Sequence, residues 1–182
     1  VENGRIADTA SDTEVIDGSG CYLIPGLMDI HFHGCVGHDF CDATPEALNA
    51  MAEYELKSGI TSICPASMTL SEEALTAVCD NARSYRDSWK PGTTARLCGI
   101  NLEGPFIAMS KKGAQNPKYV TPPNAEMFQH LIDAGDGLVK LTTIAPETEG
   151  AIEFIRQFSP QVRMSLGHTD CDYDTAREAF LA

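Results

Sequence analysis

Pro25-Gly26-Leu27-Met28-Asp29-Ile30-His31-Phe32-His33-Gly34 is the stretch from which the fold can be read. A Pro-Gly turn opens a short apolar strand, and the strand runs out into histidine and glycine. His31 and His33 stand two residues apart on extended chain, so both rings point to one side and could hold a cation between them. Asp29 shares that face and could accept a ring N–H or bind the ion itself. The HxH pattern is short, and hydrogen-bonded or surface histidines are the competing reading.

Downstream of this stretch, strand-like and helix-like segments alternate. Thr44 caps a helix with Pro45 at its first position and Leu48, Met51, Ala52 and Leu56 on one face, stopped by Gly59. Ile60–Cys64 reads as a strand. Ser71 caps a helix with Glu72 and Glu73 in its first turn and Leu75, Val78, Cys79 and Ala82 as its buried stripe. Leu97–Leu102 is the next strand, followed by a long Pro- and Gly-containing connection, Gly104–Pro123. Asn124 caps a helix with Met127, Phe128, Leu131 and Ile132 inside, Leu138–Ile144 is a strand, and Thr148 opens a helix that buries Ile152 and Ile155. Val162–Leu166 and a helix starting at Asp172 complete the pattern. Five strands that are apolar on both faces, alternating with helices, predict an α/β fold with a parallel sheet covered on both sides. Upstream, residues 1–24 are turn-rich, with short extended pieces at Glu14–Ile16 and Cys21–Ile24 that read as strands of a small accessory sheet.

In such folds the chemistry gathers at the C-terminal ends of the strands. His31 and His33 end the first strand, Glu103 the third and His168 the fifth. Each has an ordinary alternative: Glu103 as a solvated strand-end carboxylate, His168 as a hydrogen-bonded turn residue. Taken together, three imidazoles and a carboxylate at one end of a sheet suit Zn²⁺, Mn²⁺ or Fe²⁺, and the lack of Cys among them disfavours a thiolate or iron–sulfur site. An ion with an open position polarises a carbonyl and acidifies water, which is hydrolytic chemistry. GxGxxG and GxxxxGK[ST] are absent, so NAD and ATP fall away, and with no GxSxG elbow and no Cys-His pair a covalent Ser or Cys mechanism is a weak competitor. The one basic stretch, Lys111–Lys118, lies in the long loop after the third strand. It is either a solvated loop or a lid over an anionic or amide-bearing substrate.

Composition sets the outer limits. The 182 residues suffice for one domain with a real core and fall short of the about 250 usual for a closed (β/α)₈ barrel. Twenty-six acidic against 13 basic residues give a formal charge of −13, which excludes a general nucleic-acid binder while leaving room for a small phosphorylated ligand. No apolar run is long enough to span a bilayer, and the first ten residues do not look like a signal peptide. Seven scattered Cys without a CxxC pair predict reduced thiols, mostly buried, in a cytoplasmic protein.

The PGLMDIHFHG stretch resembles the amidohydrolase superfamily. With Leu102-Glu103-Gly104-Pro105-Phe106, Lys112-Gly113-Ala114-Gln115, Ala145-Pro146-Glu147 and Leu166-Gly167-His168-Thr169, the chain resembles more specifically the N-acetylglucosamine-6-phosphate deacetylase family along its whole length. The resemblance implies a metal-dependent (β/α)₈ TIM barrel, about five βα units of which fall in residues 25–182, with residues 1–24 contributing to a small β-sandwich. It implies hydrolysis of the acetamide of N-acetylglucosamine 6-phosphate in amino-sugar catabolism. The expected cofactor is a divalent metal, Zn²⁺ foremost and Fe²⁺, Mn²⁺ or Co²⁺ as alternatives, with one or two ions held by His31, His33, Glu103 and His168.

By the same resemblance Ala114 and Gln115 contact the sugar, although many members have His in place of Gln115. The partner is a small phosphorylated amino sugar, with no nucleic acid or membrane, and the full-length enzyme is a homodimer. The general base and acid is an Asp beyond position 182, so the chain alone is expected to be inactive or nearly so.

Two other readings stay open. One is another amidohydrolase acting on a cyclic amide, dihydroorotase-like or hydantoinase-like; these commonly use a modified Lys ending the fourth strand, whereas Lys140 sits early in its strand. The other is a non-enzymatic metal-binding module.

Overall fold

The computed structural model describes residues 16–182. Strand β1 (Leu27–Asp29) leads into a two-residue hairpin made by β2 (Gly34–Cys35) and β3 (His38–Asp39). Its turn places Val36 and Gly37 at φ of 50° and 83°, a conformation glycine takes freely and valine does not. After helix α1 (Pro45–Lys57) come β4 (Ile60–Ile63), α2 (Glu72–Ser88), β5 (Arg96–Leu97) and β6 (Ile100–Glu103). Helix α3 (Ala125–Gly135), β7 (Val139–Ile144), α4 (Ala151–Phe158), β8 (Arg163–Leu166) and α5 (Tyr173–Leu181) follow.

All the long-range strand pairs are parallel: β1 with β4, β4 with β5, β6 with β7 and β7 with β8. The expected strand Leu97–Leu102 is broken at Cys98-Gly99 into β5 and β6. A side chain at Gly99 would run into Lys140 Cγ at 2.5 Å, so the backbone passes here where no Cβ fits. The two halves of the sheet stay joined by Cys98 N–H to Ile63 O at 2.8 Å, Asn101 N–H to Pro65 O at 2.9 Å and Ser67 N–H to Asn101 O at 2.8 Å. The strands therefore lie side by side in chain order, as right-handed βα units require. Among the described residues the sheet does not close, and β1 and β8 each pair on one side only.

The capping residues act as expected. Thr44, Ser71, Asn124 and Asp172 each accept a backbone N–H three residues on. Helix α4 departs from expectation: Thr148 gives its hydroxyl to Ala145 O, and the helix starts after Gly150 at φ 79°. Among the described residues no strand spans Cys21–Ile24, where Tyr22, Leu23 and Ile24 stand exposed. Most of Glu14–Ile16 lies outside the described residues. No described helix is long and apolar enough to cross a membrane. The seven cysteines are all free.

The core lies between the sheet and helices α1 to α4. Phe106, Phe128, Phe154 and Phe158 pack with ring centroids 4.7–6.0 Å apart, joining the start of the long loop to α3 and α4. On the surface, His130 Nδ1 of α3 lies 3.0 Å from Glu72 Oε1 at the start of α2, and that carboxylate holds the imidazolium above the ordinary histidine range. Because the folded value is raised, the tie is complete below the unfolded value and is lost as pH rises through the folded one. An NMR titration is expected to place His130 above a free histidine and to move it back toward the ordinary range in Glu72→Gln, with Glu126 and Asp133 still holding it up in part. An identical titration in both proteins would remove this link between the helices.

Candidate metal centre

Two chain segments deliver three imidazoles to one carboxylate. Glu103, the last residue of β6, is 5% exposed and lies at the C-terminal end of the sheet. Its Oε2 is 2.7 Å from His31 Nε2 and 3.6 Å from His33 Nε2, and its Oε1 is 3.0 Å from His168 Nε2. The two HxH rings stand edge to face, 5.3 Å apart. His31, His33 and Glu103 bring their ligand atoms within 4.8 Å of one another, an arrangement able to coordinate a divalent ion, and His168 approaches from the other carboxylate oxygen.

The far nitrogens of the rings are spoken for. His33 Nδ1 lies 3.1 Å from Ala66 O and His168 Nδ1 lies 2.8 Å from Lys111 O. A carbonyl only accepts, so both Nδ1 atoms carry hydrogen and both neutral rings present a bare Nε2. Lone pair then faces lone pair at Glu103. A second proton on each ring would relieve this, and so would a cation among the three groups, which satisfies all of them at once. The donor set of imidazole nitrogen and carboxylate oxygen fits such an ion. His31 differs: its Nδ1 is 3.3 Å from Asn101 Nδ2, a donor, while Asn101 Oδ1 is buried without a partner. Asp29, which sequence offered as a ligand or ring partner, accepts the His31 backbone N–H at 2.9 Å instead.

The long loop after β6 folds back over the site rather than standing free. Ala108 N–H bonds His168 O at 2.9 Å, Lys111 Nζ pairs with Asp170 at 3.0 Å, and Gly113 lies beside the His168 ring. His168 itself takes φ 50°, an unusual value for a residue with a side chain. Its turn is pinned by Glu147, whose carboxylate accepts the Thr169 hydroxyl at 2.5 Å and the Asp170 N–H at 2.6 Å. Of the two loop residues expected at the sugar, Ala114 is exposed on the rim. Gln115 is 2% exposed and packs beneath, its amide spent on Glu103 and on the backbone of Thr69.

Sequence reasoning did not find Thr69, Glu147 or the carbonyls of Ala66 and Lys111. Glu147 stood in a recognisable Ala-Pro-Glu motif, but backbone carbonyls carry no sequence signal. Away from the centre, a cavity of about 460 Å³ at the opposite end of the strands is lined by Trp89, Arg96, Cys98 and Lys140. There the Cys64 thiol, with help from Arg96 and Lys140, holds the Cys98 thiol below the ordinary thiol range. It gathers no set of ligand atoms, so the convergence on Glu103 outweighs its volume as a marker of function. Lys140 lies three residues before Thr143, the strand partner of Glu103, and keeps the place of an ordinary strand lysine.

No protein-family model matches the chain. Individual proteins do. The chain is 34% identical over 181 residues to the N-acetylglucosamine-6-phosphate deacetylase of Bacillus subtilis (strain 168), covering 94% of this chain and 46% of that protein. It is 30% identical to the N-acetylgalactosamine-6-phosphate deacetylase of Escherichia coli O157:H7, covering 87% of this chain and 42% of that protein. The crystal structure of N-acetylglucosamine-6-phosphate deacetylase from Pasteurella multocida superposes with a TM-score of 0.84 at 30% identity, over 96% of this chain and 45% of that one. The chain thus spans a little under half the length of the relatives it matches. Over that span sequence and fold agree, and what the chain matches is one stretch of N-acetylglucosamine-6-phosphate deacetylases.

Proposed function

We propose that this chain carries the metal-binding half of an amino-sugar-6-phosphate deacetylase that hydrolyses N-acetylglucosamine 6-phosphate to glucosamine 6-phosphate and acetate. The observation that carries the reading is the convergence of His31, His33 and His168 on the buried carboxylate of Glu103. These four residues would hold the ion, for which Zn²⁺ is the first choice. When bound, a divalent cation there supplies Lewis acidity toward an amide carbonyl and toward water. The protein's own groups do the rest. Nδ1 contacts with Ala66 and Lys111 hold the His33 and His168 rings in one tautomer, and the loop stitched to His168 roofs one side of the site. Ala114, exposed in that loop, would by the family resemblance meet the sugar. Proton transfer to the leaving amine falls, by family resemblance, to an Asp outside these 182 residues.

The same reading makes residues 25–182 part of a (β/α)₈ barrel and residues 1–24 part of an accessory β-sandwich, in a homodimeric enzyme. It is supported by the one-sided pairing of β1 and β8 and by the apolar side chains left exposed beside them: Leu27, Met28 and Ile30 at one end, Phe180 and Leu181 at the other.

The hexosamine is the finer question, because the Escherichia coli relative is named for the galactosamine epimer. Acetate release should be measured on both epimers with the Zn²⁺-loaded full-length enzyme of which this chain would be the metal-binding half, with dihydroorotate as the cyclic-amide control. We expect turnover of N-acetylglucosamine 6-phosphate at an ordinary enzymatic rate, about 1 s⁻¹ or more, abolished by chelation. Preference for the galactosamine epimer would move the substrate, and hydrolysis of dihydroorotate alone would overturn the reading.

A further inference from the structure

Gln115 sits in a closed ring of contacts around the proposed ligand. Its Oε1 accepts the Thr69 backbone N–H at 2.7 Å, and its Nε2 donates to Glu103 Oε1 at 2.5 Å. Thr69 closes the ring by giving its hydroxyl to the Glu103 backbone carbonyl at 3.0 Å. All three residues are at most 5% exposed. The orientation of the amide follows from chemistry alone: a backbone N–H can only donate and a carboxylate can only accept, so the reverse orientation would oppose donor to donor and acceptor to acceptor. Gly104 shows how tight the ring is, since a Cβ there would lie 2.1 Å from Thr69 Oγ1.

We infer that Gln115 is a positioning residue for Glu103, working with Thr69 as a clamp that fixes the carboxylate before any ion arrives. The inference rests on the metal-centre reading above. The bond to Oε1 stops the carboxylate from turning about its last torsion. It keeps Oε1 on the His168 side and leaves Oε2 to the HxH pair, so that one carboxylate serves both flanks of the site. A neutral amide does this with no titration of its own and without adding a competing charge. Groups that orient a metal ligand in this way typically affect affinity by about 10- to 100-fold.

The test is Co²⁺ binding to the intact protein, followed by competition with a chromogenic chelator and by the visible d–d spectrum. Gln115→Met keeps the volume and removes both amide contacts; Thr69→Val keeps the shape and removes the hydroxyl. We expect Gln115→Met to bind Co²⁺ about 10- to 100-fold more weakly with an altered spectrum, and Thr69→Val to shift affinity the same way by at least about 3-fold. A role confined to packing would lower the unfolding midpoint while leaving the affinity and spectrum of the folded protein unchanged. Wild-type affinity and spectrum in folded Gln115→Met would therefore overturn the inference. If that variant does not fold, wild-type affinity in Thr69→Val overturns it instead. Failure of the unmodified protein to bind Co²⁺ would bring down the metal-centre reading underneath, a result distinguishable from unchanged binding in a variant.

Discussion

Glu103→Ala is expected to empty the metal centre. This carboxylate joins the two flanks of the centre: Oε2 faces His31 and His33, and Oε1 faces His168. Without it, three imidazoles remain with no negative charge to offset a divalent ion, and the ring of Thr69 and Gln115 has nothing to hold. Bound Zn²⁺ measured on the purified intact protein should fall to background. Activity should fall by more than the about 10- to 100-fold that follows from disturbing a group behind a ligand. A second readout separates this from unfolding. An ion that binds only the native state adds about 4 kcal/mol at a thousandfold excess over its Kd, so Zn²⁺ should raise the unfolding temperature of the unmodified protein and leave that of Glu103→Ala unmoved. Retained stoichiometry in a folded variant would show that the ligand assignment is wrong at its centre.

Much of this architecture could be read from the sequence because it rests on local physical rules. Caps at Thr44, Ser71, Asn124 and Asp172 are side-chain bonds to N–H groups three residues away, and the apolar stripes of α1 to α3 follow the helical period. The candidate ligands come together for a similar reason: Glu103 ends β6, His31 and His33 follow the end of β1, His168 follows the end of β8, and the strands of a parallel sheet end together. What stayed hidden depends on distant contacts. The break at Cys98-Gly99 comes from the crossing of Lys140, more than forty residues away in sequence. Thr148 looks like a cap, but its hydroxyl is taken by Ala145 O, and the helix waits for Gly150.

Gln115 is the instructive case. The resemblance offers it, beside Ala114, as a contact to the sugar. Its burial becomes visible only when the loop folds over Thr69 and Glu103. The partners of the histidine Nδ1 atoms are backbone carbonyls, which any residue supplies, so no pattern of residue types could reveal them.

Phe128→Ala is expected to do the reverse of Glu103→Ala, removing stability while sparing the ligands. Phe128 is fully buried on α3, with its ring 6.0 Å from Phe106, 5.1 Å from Phe154 and 5.0 Å from Phe158. Truncation deletes the ring shared by three aromatic contacts and leaves a void that helices α3 and α4, each tied to its own strand, can close only in part. Changes of this kind cost about 3–5 kcal/mol. At about 2–4 °C per kcal/mol for a chain of this size, the unfolding temperature should drop by on the order of 10 °C. None of the four proposed ligands touches Phe128. The shortest covalent route from this cluster to the centre is Phe106, three residues after Glu103, and Phe106 keeps its packing on Phe154 at 5.0 Å. Below its lowered midpoint, the variant should therefore bind one complement of Zn²⁺ with near-normal affinity. A loss of metal in well-folded Phe128→Ala would mean that the carboxylate is held by the core through the Gly104–Phe106 segment, and not by the Thr69 and Gln115 contacts alone.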